Sequence, residues 1–129
     1  MKQSEALARQ MFRHAEEGEH QLVAGFIHPD ARIIPVTAPV ERDAAGIREY
    51  VEVSVPKLLY RDVRAFCYEP VTDDRIVVQG QLRWELEEGG FRIFTATWAL
   101  VYKDGLLFRS WPCDNLEDAR RQLAAYEAE

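Results

Sequence analysis

GFRIFTATWALVYKDGLLFRSWP, residues 90–112, is the stretch that decides the fold. Its first half alternates, with Phe94, Ala96, Trp98, Leu100 and Tyr102 on one side and Phe91, Ile93, Ala99 and Val101 on the other. A period of two is that of a strand, and a strand apolar on both faces is one covered on both. Lys103-Asp104-Gly105-Leu106 then supplies the Asp-Gly pair of a two-residue type I′ turn, so residues 106–112 return as the second arm of a hairpin. An unbroken ladder from that turn sets Tyr102 opposite Leu107, Leu100 opposite Arg109 and Trp98 opposite Trp111. Trp98, Leu100, Arg109 and Trp111 are thereby expected to converge on one face.

Working back from this hairpin, strand-like runs at Asp62 to Glu69 and Arg75 to Glu87 complete a four-stranded meander, with Glu87 to Gly90 as a looser turn. The period upstream is helical. Ser4 is placed to cap a first helix carrying Leu7, Met11 and His14 or Ala15 until Gly18 ends it. A shorter helix from Glu19 to Gly25 brings Leu22, Val23 and Phe26 inward, and His28-Pro29-Asp30 breaks it, because a residue before proline is pushed away from helical angles. Ala31 to Val36 reads as a short strand, and Thr37 to Arg42 as a proline-containing loop. Asp43 then caps a third helix whose broad apolar face holds Ile47, Tyr50, Val51, Val55 and Leu58, ending near Tyr60. Asn115 caps a last helix through Asp118, Leu123 and Tyr126. Residues 1–129 therefore form a single α+β domain, three N-terminal helices packed on a strongly curved, mostly antiparallel sheet. Three helices cover only one face of a meander, so the other is expected to meet a second copy in a homodimer through the sheet.

Bulk properties narrow the function. A net charge of −6, with 16 Lys and Arg scattered along 129 residues, argues against a nucleic-acid partner, which needs clustered cations. No run of about 18 apolar residues could cross a bilayer, and Met1 to Glu17 is charged and amphipathic rather than a signal peptide. Cys67 and Cys113 have no metal or disulfide-framework spacing, so reduced thiols and a cytoplasmic location are expected. No two histidines stand at ligand spacing with an acid, and neither a metal nor another cofactor is expected.

Four local sequences, in order, resemble the NTF2-like superfamily and its SnoaL-like and ketosteroid-isomerase-like members. They are Glu16-Glu17-Gly18-Glu19 followed by Phe26-Ile27-His28-Pro29-Asp30-Ala31, then Gly46-Ile47-Arg48-Glu49-Tyr50, then Val63-Arg64-Ala65 ahead of Pro70-Val71, and last Phe108-Arg109-Ser110-Trp111 leading to Asn115-Leu116. The resemblance implies a cone-shaped fold around a ligand pocket. It puts the isomerase's oxyanion tyrosine at Met11, its proton-shuttling aspartate at Pro35 and its protonated aspartic acid at Trp98. Met, Pro and Trp supply neither the base nor the donors of enolate chemistry, so ketosteroid isomerisation is not implied. The same carry-over nominates Met11, Ala15, Tyr50, Ala65, Gln81, Arg83, Ala96, Trp98, Leu100, Arg109 and Trp111 as pocket lining.

Each candidate has a plainer account beside it. Arg109, expected between Trp98 and Trp111, would need a partner if buried and is either a ligand contact or half of a salt bridge. Arg83 and Glu85 share a strand face, as in the Arg-x-acid pair of epoxide-hydrolase-like relatives, but the third acid expected from the final strand is not evident at Arg109, Ser110 and Trp111, and a solvated ion pair at a strand end is the plainer account. His14 has the intrinsic pKa for acid–base work, although it stands at the edge of its helix face. His20 reads as exposed and His28 as part of a structural corner.

These readings define a small-molecule pocket suited to a small hydrophobic or anionic organic ligand. The leading expectation is a SnoaL-like lyase, isomerase or cyclase acting on a small aromatic or polyketide-like compound. Arg109, with Arg83 and Gln81, would stabilise an oxyanion, and His14 or Glu85 would move a proton. A non-catalytic ligand-binding module and a dimerisation or scaffolding domain are the alternatives.

Overall fold

The computed structural model describes residues 1–57 and 60–128. Helix α1 (Gln3–Glu16) and the short α2 (His20–Ala24) lead into strand β1 (Ile27–Ile33). A two-residue β2 (Arg42–Asp43) precedes α3 (Ala44–Glu49), which continues as one wide turn over Tyr50–Ser54 and a tight one over Val55–Lys57. Strands β3 (Tyr60–Pro70), β4 (Arg75–Glu85), β5 (Phe91–Lys103) and β6 (Leu106–Cys113) form the meander, and α4 (Leu116–Ala125) ends the chain. Leu58, expected on the third helix, lies outside the described residues.

The expected caps form at α3 and α4. The Asp43 side chain accepts from the Gly46 backbone N–H, and that of Asn115 accepts from Asp118. Ser4 does something else: it lies fully buried inside α1, and its hydroxyl donates to the Thr72 carbonyl at 2.7 Å, tying the helix to the β3–β4 turn. His28-Pro29-Asp30 is likewise not a break before a strand, since it lies within β1. The ladder between β1 and β6 shifts register between Ile27 and Arg32, so Pro29, which has no N–H to give, occupies the gap.

One mixed sheet, ordered β2-β1-β6-β5-β4-β3, holds all six strands. β1 runs parallel to β6, and every other pairing is antiparallel. Residues of even number on β4 and β5, among them Ile76, Val78, Leu82, Ala96, Trp98 and Leu100, face the side covered by α1, α3 and their connections. There Ala8, Met11 and Phe12 complete the main core, and the buried Tyr102 hydroxyl reaches the Met11 sulfur at 3.9 Å. The alternation read along β5 is thus the one that the fold uses.

The hairpin departs from its expected register. Asp104 and Gly105 both have positive φ, 56° and 76°, as a type I′ turn requires, and Tyr102 does face Leu107. Phe108 then bulges out of the ladder, so Val101 faces Arg109, Leu100 faces Ser110, Ala99 faces Trp111 and Trp98 faces Pro112. One extra residue turns every later side chain over. Arg109 and Trp111 therefore leave the concave face that holds Trp98 and Leu100.

The convex face has a cover of its own. Ala119 and Leu123 of α4 pack on Val77, Ala99 and Val101, while Trp111 joins this second cluster and its indole N–H donates to Gln122 at 2.6 Å. A fourth helix from the same chain, rather than a partner, thus covers that end of the sheet. Farther along the same face Phe66, Phe91 and Ile93 remain 56%, 49% and 55% exposed. β5 also outruns β6, whose last pair is Cys113 with Thr97, so residues 91–96 have β4 as their sole strand neighbour among the described residues.

Candidate functional site

The concave side of the sheet and the helical segments above it enclose a cavity of about 490 Å³. Its walls are mainly apolar: Phe12 and Ala15 from α1, Val23 from α2, Val36 from the β1–β2 loop, Ile47, Val51 and Val55 from α3 and its extension, and Val63, Leu82 and Trp98 from the sheet. Phe12 meets Trp98 edge-on, with ring centroids 4.9 Å apart. A smaller hollow of about 130 Å³ shares both rings and continues inward to Met11, Leu100 and Leu107. Trp98 accordingly lines the main cavity and separates it from the deeper one; it does not fill the interior.

Polar groups are few, and each has a structural reason to be there. Tyr50 opens the wide turn after α3, is buried, and its hydroxyl is hydrogen-bonded to the Thr37 hydroxyl; both residues line the cavity. The Arg42 guanidinium stacks on the Tyr50 ring at 4.7 Å and fixes its orientation. Glu16, in the last turn of α1, accepts from the Ala65 N–H at 3.1 Å and lies 3.9 Å from Arg64. His20 opens α2 just after the reversal at Gly18, whose φ is 73°, and this places its half-buried ring on the cavity wall.

The expected site residues separate into distinct groups. Ala15, Tyr50 and Trp98 line the main cavity, Met11 and Leu100 the deeper hollow, and Ala96 the open groove beyond Leu82. Ala65 borders a shallow hollow on the other flank of α1, with Arg9, Arg13 and Tyr68. Gln81, Arg83 and Glu85 have odd numbers on β4 and so take the opposite side of the sheet from Leu82; the Arg83 guanidinium stacks there on Phe91 at 4.0 Å. Arg109 lies outside the cavity too, donating to the Asp30 and Phe108 carbonyls at 2.9 Å and stacking on the Phe108 ring, where it clamps β1 against β6.

His14 faces away from the cavity that its neighbours Ala15 and Glu16 line, and its Nδ1 is 2.9 Å from Glu19. Hydrogen bonding with His14 first, and with the Glu17 side chain second, holds the exposed Glu19 carboxyl below the usual carboxylate range. His14, Glu17 and Glu19 bring three metal-ligand atoms within 4.8 Å of one another at this turn. The hydrogen bond between His14 and Glu19 already accounts for that gathering.

His20, which reads as exposed in the sequence, is half-buried on the cavity wall, and a signal for this was present. His20, Val23 and Ala24 stand at i, i+3 and i+4, on one face of a helix, and Val23 and Ala24 face inward. Thr37 offered no periodic signal, because it lies in a loop.

No family model and no curated protein sequence matches the chain. Solved structures do. RV0760c from Mycobacterium tuberculosis, in complex with estradiol-17beta-hemisuccinate, superposes with a TM-score of 0.73 and 13% identity over 92% of this chain and 98% of that one. An NTF2-like protein of unknown function from Burkholderia pseudomallei gives 0.73 and 14% over 97% and 100%. The Delta 5-3-ketosteroid isomerase from Mycobacterium sp. gives 0.68 and 15% over 92% and 97%. At such identities the likeness is one of fold, and the fold is the NTF2-like one.

Proposed function

We propose that the chain binds a small oxygenated ring compound in the main cavity and moves a proton on it, in the manner of an isomerase, lyase or cyclase. The observation that carries this reading is the cavity of about 490 Å³, whose apolar walls are interrupted by His20 and by the Tyr50–Thr37 hydroxyl pair. Walls of this kind suit a flat, weakly polar molecule, and a few placed polar groups orient it. The estradiol ester bound by RV0760c supports that choice of ligand class.

His20 takes the proton from a carbon beside a carbonyl, while Tyr50, with Thr37 behind it, donates a hydrogen bond to the carbonyl oxygen as charge develops there. The imidazolium then returns the proton to a neighbouring atom, so no other reactant is consumed. Glu16, held by the Ala65 N–H and near Arg64, keeps an anion at this end of the cavity.

The test is deuterium exchange at the α-carbon of 2-tetralone in D₂O, followed by proton NMR. Acceleration by the wild-type chain that falls about a hundredfold or more in His20→Gln, and also falls in Tyr50→Phe, supports proton transfer. Binding without acceleration leaves the non-catalytic module as the function. Neither binding nor acceleration removes the cavity as a working site.

Two further properties belong to the proposal. Cys67 and Cys113 are both free, and burial, followed by the nearby Asp118 and Asp114 carboxylates, pushes the Cys113 thiol up to about 11; an unreactive thiol of this sort suits the reducing cytoplasm. Phe66, Phe91 and Ile93, left uncovered on the convex face beyond α4, form the contact of a homodimer through the sheet.

A further inference from the structure

The concave face of the meander continues beyond the helices that roof the main cavity. Across β4 and β5, Leu82 faces Phe94 and Trp84 faces Arg92, all on the concave side. Because β6 stops at Cys113, no described strand flanks this end of β5 on its second edge. The outcome is a second hollow of about 530 Å³, walled by Trp84, Leu86 and Phe94, with Arg92 toward its outer end. It shares Val36, Thr37 and Leu82 with the main cavity, so the two spaces meet at a waist formed by those three residues.

The two ends differ in chemistry. The inner end carries His20 and the Tyr50–Thr37 pair. The outer one is mainly apolar up to Arg92: Phe94 is 47% exposed, and the Arg92 side chain makes no hydrogen bond or ion pair among the described residues. From Trp98 to Arg92 along a single strand is about 20 Å, at roughly 3.3 Å per residue. A guanidinium at the end of an aromatic trough pairs best with a carboxylate, which matches its two-pronged geometry.

We infer that the natural ligand is an elongated amphipathic acid, whose ring lies in the main cavity, whose apolar chain crosses the waist over Leu82, and whose carboxylate ends on Arg92. The inference rests on the ligand-binding reading above and narrows its ligand class. The apolar chain covers Trp84 and Phe94, which are otherwise in contact with water, and Arg92 selects the acid.

Three probes test it by calorimetry on the full chain: 2-naphthol, 2-naphthol bearing a hexanoate chain on its distal ring, and the methyl ester of that hexanoate. The acid should bind tightest, roughly tenfold above unchained naphthol through burial of the chain, and about fivefold above the ester through the ion pair. Arg92→Ala should remove the acid's advantage over the ester and leave naphthol unchanged. Arg83→Ala, on the opposite side of the same strand pair, should alter none of the three. Equal affinity for chained and unchained naphthol, or an acid preference that survives in Arg92→Ala, overturns the elongated ligand alone. Unchanged affinity on adding the chain, together with a concentration-dependent mass lost on mutating Phe94, would assign the groove to a second copy instead and overturn it likewise. Absence of binding by naphthol itself overturns the cavity reading and this inference together.

Discussion

At Gly80 the missing side chain is what lets two strands and a ring come together. A Cβ built there would stand 2.7 Å from the Arg64 carbonyl oxygen and 3.1 Å from Trp98 Cζ3, beside the bulge at Phe66. The carbonyl belongs to a paired strand and has nowhere to go, so Gly80→Ala should lower unfolding free energy by about 1–3 kcal/mol in urea titrations; a neutral result would mean that β3 yields more readily than its ladder implies. Tyr102 offers a second test. Burial first, and nearby Tyr68 second, push its hydroxyl well above the usual phenol range. The unfolded chain ionises first, near pH 10, so the stability tied to the neutral phenol is complete below that pH and drains as pH rises beyond it. The urea midpoint of wild type should fall between pH 9 and pH 11 more steeply than that of Tyr102→Phe, and parallel curves would count against it. Single residues were also where sequence reading failed. Counting from the Asp104-Gly105 turn puts Arg109 and Trp111 in the pocket, but a lone bulge at Phe108, which leaves no periodic mark in the sequence, turns them to the other face.

Elements were far more legible. The caps at Asp43 and Asn115 and the turn at Asp104-Gly105 are local chemistry, and each formed as expected. The four strands of the meander fell within a few residues of their observed limits for the same reason, since a period of two is written along each. The partner of each face was not legible, because packing between distant segments has no local signature. On sequence alone the convex face needs a second chain, whereas in the fold α4 covers one end of it. Leu123, fully buried on Val77, Ala99 and Val101, is the centre of that contact. Leu123→Ala should cost about 2–5 kcal/mol by thermal or urea unfolding; a cost below about 1 kcal/mol, of the size seen for surface changes, would show that α4 is only loosely docked.

The molecule as a whole presents two uncovered surfaces, one hollow and one flat. The flat one is the convex strip of Phe66, Phe91 and Ile93. Sedimentation equilibrium at micromolar concentration should find a dimer in wild type and a monomer in Ile93→Lys, because a charge placed on an apolar contact is costly to bury. A monomeric wild type would discard the dimer and leave the strip as ordinary exposed apolar surface. No described helix is long and apolar enough to cross a membrane.

Parallel pairing of β1 with β6 carries a consequence for how the polypeptide matures. Ile27 waits for Leu107, and Arg32 for Arg109, so β1 finds its sheet neighbour β6 only after the helices and strands between them have been translated. Closing so long a loop is entropically slow, and α1 and β1 meanwhile leave the ribosome with their apolar sides uncovered. For this chain, the interval before the last hairpin emerges is therefore the period of greatest exposure to aggregation, and the span in which a chaperone has most to offer.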